Sequence, residues 1–319
     1  MASPTDTRKF AREQAGRLLG RLAFQANHTI KSRDSMAVHD LRVAIRRFTR
    51  LLKVFQLCFD GKETRKLRRR LKKVLDLASD VGRYDTALKV IAKSPKLDGA
   101  GLRSKLQSRR KEATRDLTGV LRRWIERKSS LKWRAALESS LTSQGDAFRG
   151  VPIEHTAGEI LPLMAKDFFH IGNEMVAAKA PPAELEEFRI ACRKFRYTLE
   201  LFAPLYAAGY NRWLEKVRKT QVLLGEIRDW SAVEEVVSPF KGGEALTARL
   251  KKRQRKQRDE FRLHWRRQFG DPQQVRVWID SLRSPALIGR TLRKPAGRSL
   301  TSSSRPVQGR EKVSLPSSR

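Results

Sequence analysis

The chain has 319 residues and a formal net charge of +35, from 69 Lys and Arg against 34 Asp and Glu. A charge of that size draws anionic partners from a distance and opposes compaction, while 39% hydrophobic residues are enough for a sizeable core. The N-terminal MASPTDTRKFAREQ lacks the apolar centre of a signal peptide, and no run approaches the ~18 apolar residues of a membrane span, so a cytoplasmic protein is expected.

Apolar residues recur at helical spacing almost throughout, and strand-like alternation is absent. In chain order the pattern predicts helices over 5–31, 36–58, 62–82, 84–94, 101–128, 131–142, 155–178, 183–206, 209–228, 231–237, 244–269 and 272–282. Breaks such as Asp60-Gly61, Pro181-Pro182 and Gly242-Gly243 separate several of them. An all-α fold over 5–283 follows. From Ser284 the composition changes: the last 36 residues carry 8 Ser, 4 Pro and 8 Lys or Arg with one acid. Such a segment has too little apolar surface to order itself, so 284–319 reads as a disordered basic tail. Cys58 and Cys192 both sit on apolar helical stretches and read as buried free thiols, as suits a reducing compartment.

An internal repeat organises the rest. VHDLRVAIRRFTRLLKVF (38–55) aligns with LEEFRIACRKFRYTLELF (185–202), and LRSKLQSRRKEATRDLTGVLRRWI (102–125) with LTARLKKRQRKQRDEFRLHWRRQF (246–269). Between them LKKVLDLASDVGRYD (71–85) matches VRKTQVLLGEIRD (217–229). Three matches in one order imply a duplicated helical unit, with repeats at about 5–145 and 153–283 packed as two related bundles.

The first matched helix has a core stripe and a basic ridge. With Leu41 at zero on a wheel of about 100° per residue, Leu41, Ile45, Phe48, Leu52 and Phe55 share one direction. His39, Arg42, Arg46, Arg50 and Lys53 fall at about 100–180°, and Arg47 falls outside both sets. Arg42, Arg46 and Arg50 are four apart, so neighbouring Cβ atoms lie roughly 6 Å from one another. Like charges at that spacing weaken an isolated helix by ~0.2–0.5 kcal/mol per pair. A helix with only a structural role would interleave Glu, and this ridge has none. Arg189 and Arg193 stand on the equivalent ridge of the second half. Two related helices can bring the ridges together around one groove, where guanidinium forks make charge-assisted bonds to phosphate oxygens.

DSMAVHDLRVAIRRFTRLLKVF, EFRIACRKFRYTLELFAPLY and LLGEIRDWSAV resemble the CHAD family, the helical domain named for its histidines. The likeness covers about 5–283. Arg196, Tyr197 and Glu200 stand for its Arg-Tyr-x-x-x-Glu pattern, with one residue fewer between Tyr and Glu. The resemblance implies an all-α fold of two pseudo-symmetric bundles and binding of inorganic polyphosphate in a basic central cavity or groove. It also implies association with polyphosphate granules. Carried over, the ligand face would comprise His39, Arg42, Arg46, Arg47, Arg50 and Lys53 from the first motif. From the second it would comprise Arg189, Arg193, Lys194 and Arg196. Lys72, Lys73, Lys111, Lys216, Lys219 and Arg255 would extend it. Glu186 and Glu200 replace His39 and Lys53 in the second half, which is therefore expected to bind less strongly. Arg83 and Arg228 are read as pairing with local carboxylates.

No P-loop, Gly-rich cradle or metal-ligand cluster is visible, so neither catalysis nor a metal or cofactor is expected. His155 and His170 stand fifteen apart with no partner at i+4, and His28 and His264 are isolated. The runner-up function is non-sequence-specific nucleic-acid binding, through net charge and the Arg-rich 251–258 stretch. No reading motif accompanies it, and Trp124, Trp133, Trp230 and Trp265 read as core. The sequence sets no oligomeric state.

Overall fold

The computed structural model describes residues 5–92, 101–143, 148–177, 181–207, 209–238 and 244–285. These form ten α-helices: α1 (Thr7–Ser32), α2 (Ser35–Val54), α3 (Gly61–Ala92), α4 (Leu102–Glu126), α5 (Ser129–Ser143), α6 (Ile153–Ala177), α7 (Pro182–Phe202), α8 (Gly209–Val237), α9 (Glu244–Phe269) and α10 (Pro272–Ser281). A 3-10 turn, Ala203–Leu205, follows α7. Apart from a single bridge between Asp6 and Pro152, no β-structure occurs among the described residues. None of these helices is long and apolar enough to cross a membrane. The expected tail lies outside the described residues from 286 onward.

The periodic core positions are buried as expected. Leu41, Ile45, Phe48, Leu52 and Phe55 are at most 1% exposed, each contributing roughly 1.5–3 kcal/mol by burial. Asp34 caps the start of α2, its side chain accepting from the Ala37 N–H at 2.7 Å. Cys58 and Cys192 are buried free thiols, and burial raises their pKa values to about 11 and about 12. Two predicted breaks are absent: 62–82 and 84–94 run together as α3, and 209–228 and 231–237 as α8. Gly82 explains the first. It does not end the helix; a Cβ there would lie 2.6 Å from the Arg42 guanidinium. The glycine therefore serves a neighbour and not a turn.

The helices pack in a repeated pattern. Within the first five, α1 packs on α2, α4 and α5, and α3 packs on α2 and α4. Within the second five, α6 packs on α7, α9 and α10, and α8 packs on α7 and α9. The principal contacts between the sets run between counterparts: α1 with α6, α2 with α7, α3 with α8. One large core fills both sets, and a smaller one, including Ala87, Leu106, Val233 and Leu250, joins the ends of α3, α4, α8 and α9.

Candidate anion-binding site

Where α2 and α7 meet, their basic flanks face a common space. Arg42, Arg46, Arg189 and Arg193 are all half-buried. Arg46 lies in the field of Arg193, Arg42 and Arg189, and Arg193 in that of Arg189 and Arg42. Burial, then this mutual repulsion, lowers the Arg46 pKa from 12.5 to about 9. Burial is also the main cause that depresses Arg42 and Arg193, with Asp229 opposing it most at Arg42.

Little countercharge answers this cluster. Among the described residues none of the ion pairs involves Arg42, Arg46 or Arg193. The Nε atoms of Arg42 and Arg46 are buried without a hydrogen-bond partner. Arg189 alone is matched, donating from Nε and Nη2 to the Glu186 carboxylate at 2.7 and 2.6 Å. Asp85 is engaged elsewhere, accepting from Arg110 Nε at 2.6 Å. Asp229 is the remaining acid. Burial raises its pKa against the pull of Arg42, Arg189, Arg228 and His39. Asp229 and His39 both reach solvent, though surrounding atoms displace part of their water. Burial first, then Arg42, depresses the His39 pKa.

The model of the CHAD domain family matches residues 13–238. The chain belongs to the CHAD family. The crystal structure of the CHAD domain from the plant Ricinus communis is similar, with a TM-score of 0.62 at 18% identity over 89% of this chain and 95% of that one. PptA from Streptomyces chartreusis aligns with a TM-score of 0.56 at 15% identity, over 84% of this chain and all of that one. No curated protein matches.

This CHAD chain distributes the other expected site residues unevenly. Arg50 belongs to the ridge by periodicity, but it turns into the junction of α2, α7 and α6. There its Nε donates to Thr198 Oγ1 at 2.6 Å and its Nη2 contacts Met164 Sδ at 2.8 Å; burial lowers its pKa to about 10. Arg47 leaves the ridge, as the wheel expects, and pairs with Glu200 at 2.8 Å. Arg196 and Arg218 approach the same carboxylate at 3.7 and 3.8 Å. Arg47 and Arg196 also lie over the Tyr197 ring, at 5.9 and 4.6 Å from its centroid. The ring itself is buried, 5% exposed. Glu200 thus answers this group of arginines and leaves Arg42, Arg46 and Arg193 charged.

Lys216 is a packing residue: its Nζ sits 4.2 Å from the Trp213 centroid and 3.4 Å from the Gln268 carbonyl. Lys53 is exposed and donates to Gln56 at 3.1 Å. Lys72, Lys111, Lys194, Lys219 and Arg255 are exposed on their helices, and Lys73 lines a separate cleft in the first five helices. Arg83 pairs with Asp80, and Arg228 with Glu235 at 3.1 Å, as the local-pairing reading expects. His155 and His170 do have partners at i+4, exposed Glu159 and Glu174 at 3.3 and 3.5 Å. These are surface pairs, and no group of three metal-ligating side chains forms among the described residues. Tyr197, Asp229 and Gly82 are the contributors that helical periodicity does not select. The local signals were the Arg-Tyr motif, the Arg-Asp pair at 228–229 within the matched segment 217–229, and the glycine itself.

Proposed function

We propose that the chain binds inorganic polyphosphate across the α2–α7 arginine cluster, as the family membership suggests, and that it acts as a non-catalytic receptor at polyphosphate granules. The observation that carries this reading is the unanswered charge: Arg42, Arg46 and Arg193 are half-buried without ion pairs, and two buried Nε donors lack acceptors. A fold keeps such groups at a cost unless a ligand completes them. A chain of phosphates supplies acceptor oxygens at every unit, and Arg can take two at once.

Nucleic acid shares the charge but also presents bases, and the tryptophans offer them no platform. Trp133 and Trp265 are buried, and Trp124 and Trp230 pack against the cores. The test is polyphosphate affinity against salt, with single-stranded DNA of equal charge as competitor. Affinity falling linearly in log-log form, with polyphosphate preferred, is the expected result. A flat salt dependence, or equal competition, overturns the assignment.

A further inference from the structure

The first five helices line a half-open cleft of about 420 Å³ that the arginine cluster does not use. All of its lining residues lie between 22 and 133, so α6–α10 contribute nothing to it. Its apolar wall is formed by half-buried Val74, Val120 and Trp124, over the buried side chains of Leu41, Ile45, Leu121 and Trp133. Exposed Arg70, Lys73, Arg123, Arg127 and Lys132 line it as well.

The second half shows how the same space is filled when it is meant to be closed. By the sequence repeat, Leu41 corresponds to Phe188 and Leu121 to Trp265. Trp265 packs at 5.1 Å from Phe168, 5.5 Å from Phe188 and 4.8 Å from Phe269. It fits so closely that a Cβ at Gly172 would meet its ring at 2.0 Å. Its Nε1 donates to Asn173 Oδ1 at 2.9 Å. In the first half Leu41 and Leu121 stand in place of Phe188 and Trp265, and the buried indole N–H of Trp124 has no hydrogen-bond partner.

We propose that this cleft is a second binding site, for a monomeric single-chain amphiphile with an anionic head, a phosphate or a carboxylate. The apolar wall takes the alkyl chain and the five cations take the head. The C-terminal tail does not suit it, because its eight basic residues would face a basic rim.

The experiment is calorimetric titration of the full chain with dodecyl phosphate below its micelle concentration. Dodecanol and inorganic phosphate serve as comparators. Saturable binding of dodecyl phosphate, much tighter than either comparator, is expected. Arg123→Glu with Lys132→Glu should weaken it at least about tenfold, since two attractions become repulsions. Leu121→Trp, which restores the ring of the second half, should abolish it while leaving polyphosphate binding intact. If Leu121→Trp loses helicity, the charge-reversed variant, altered only at exposed positions, still decides. Binding unchanged in the charge-reversed variant overturns the proposal. So does dodecanol or inorganic phosphate binding as tightly as dodecyl phosphate.

Discussion

Replacing Arg46 by Met should stabilise the empty protein and weaken the loaded one. Met keeps most of the apolar stem and removes the charge. The Arg46 pKa falls from 12.5 in the free side chain to about 9 in the fold. At about 1.36 kcal/mol per unit, that bounds the penalty for holding the proton at about 5 kcal/mol. Arg46 is half-buried, so solvent screens part of this, and ~1–3 kcal/mol is the expected net gain. The sign follows from linkage. The folded pKa lies below the unfolded one, so the unfolded chain holds this proton more tightly. The penalty is complete below about pH 9 and is relieved as pH rises from about 9 towards 12.5. Thermal unfolding followed by circular dichroism, at low salt and without polyanion, should show Arg46→Met melting several degrees above the wild type at about pH 7, with the margin shrinking by about pH 10.5. Added polyphosphate should raise the melting temperature of the wild type more than that of the variant. A variant that melts below the wild type without ligand would mean that the guanidinium is already satisfied within the fold, and the argument from unanswered charge would fail.

Two further outcomes follow from the same cluster. Arg42, Arg46, Arg189 and Arg193 changed together to Ala should cost more polyphosphate affinity than deleting 284–319, although the deletion removes twice as many basic residues. Ordered contacts contribute ~1.5–3 kcal/mol each and mobile ones ~0–1; a folded four-Ala variant that outbinds the deletion removes the cluster from the mechanism. His39, whose pKa burial and Arg42 depress, should take up a proton when phosphate arrives, so affinity should rise as pH falls through its range. Without ligand the sign reverses: the unfolded chain holds that proton more tightly, and stability falls as pH drops below about 6.5. Polyphosphate titrations of the wild type and His39→Gln across this range check the first and thermal unfolding without ligand the second, and an equal pH slope of affinity in the two would exclude His39.

Much of the fold was legible because it is periodic. The core stripe of α2 needs only the helical repeat, and the alignment of 38–55 with 185–202 identifies α2 and α7 as counterparts. What periodicity does not carry is the neighbour on each face. Arg50 shares the ridge with Arg42 and Arg46, yet Thr198 and Met164 lie against it and draw it away from the cluster. Arg47 entered the expected site by resemblance, while the wheel set it aside; Glu200, on α7, explains why. Gly82 lies inside α3, and only the approach of Arg42 from another helix gives it a meaning. Asp229 tempers the cluster from nearly two hundred residues away from Arg42 in sequence, a distance no local pattern spans.

The contacts between counterpart helices, α1 with α6, α2 with α7 and α3 with α8, are those that two copies of a single unit would make in a dimer. Joining such copies in one chain releases each from the need to match the other. A substitution in one half is then no longer imposed twice at the shared seam. Glu186 could grip Arg189 while its counterpart His39 stayed open to solvent, and Trp265 could close one bundle while a half-open cleft formed beside its counterpart Leu121 in the other. Two related sets of helices in one chain can in this way carry different side chains at matched positions.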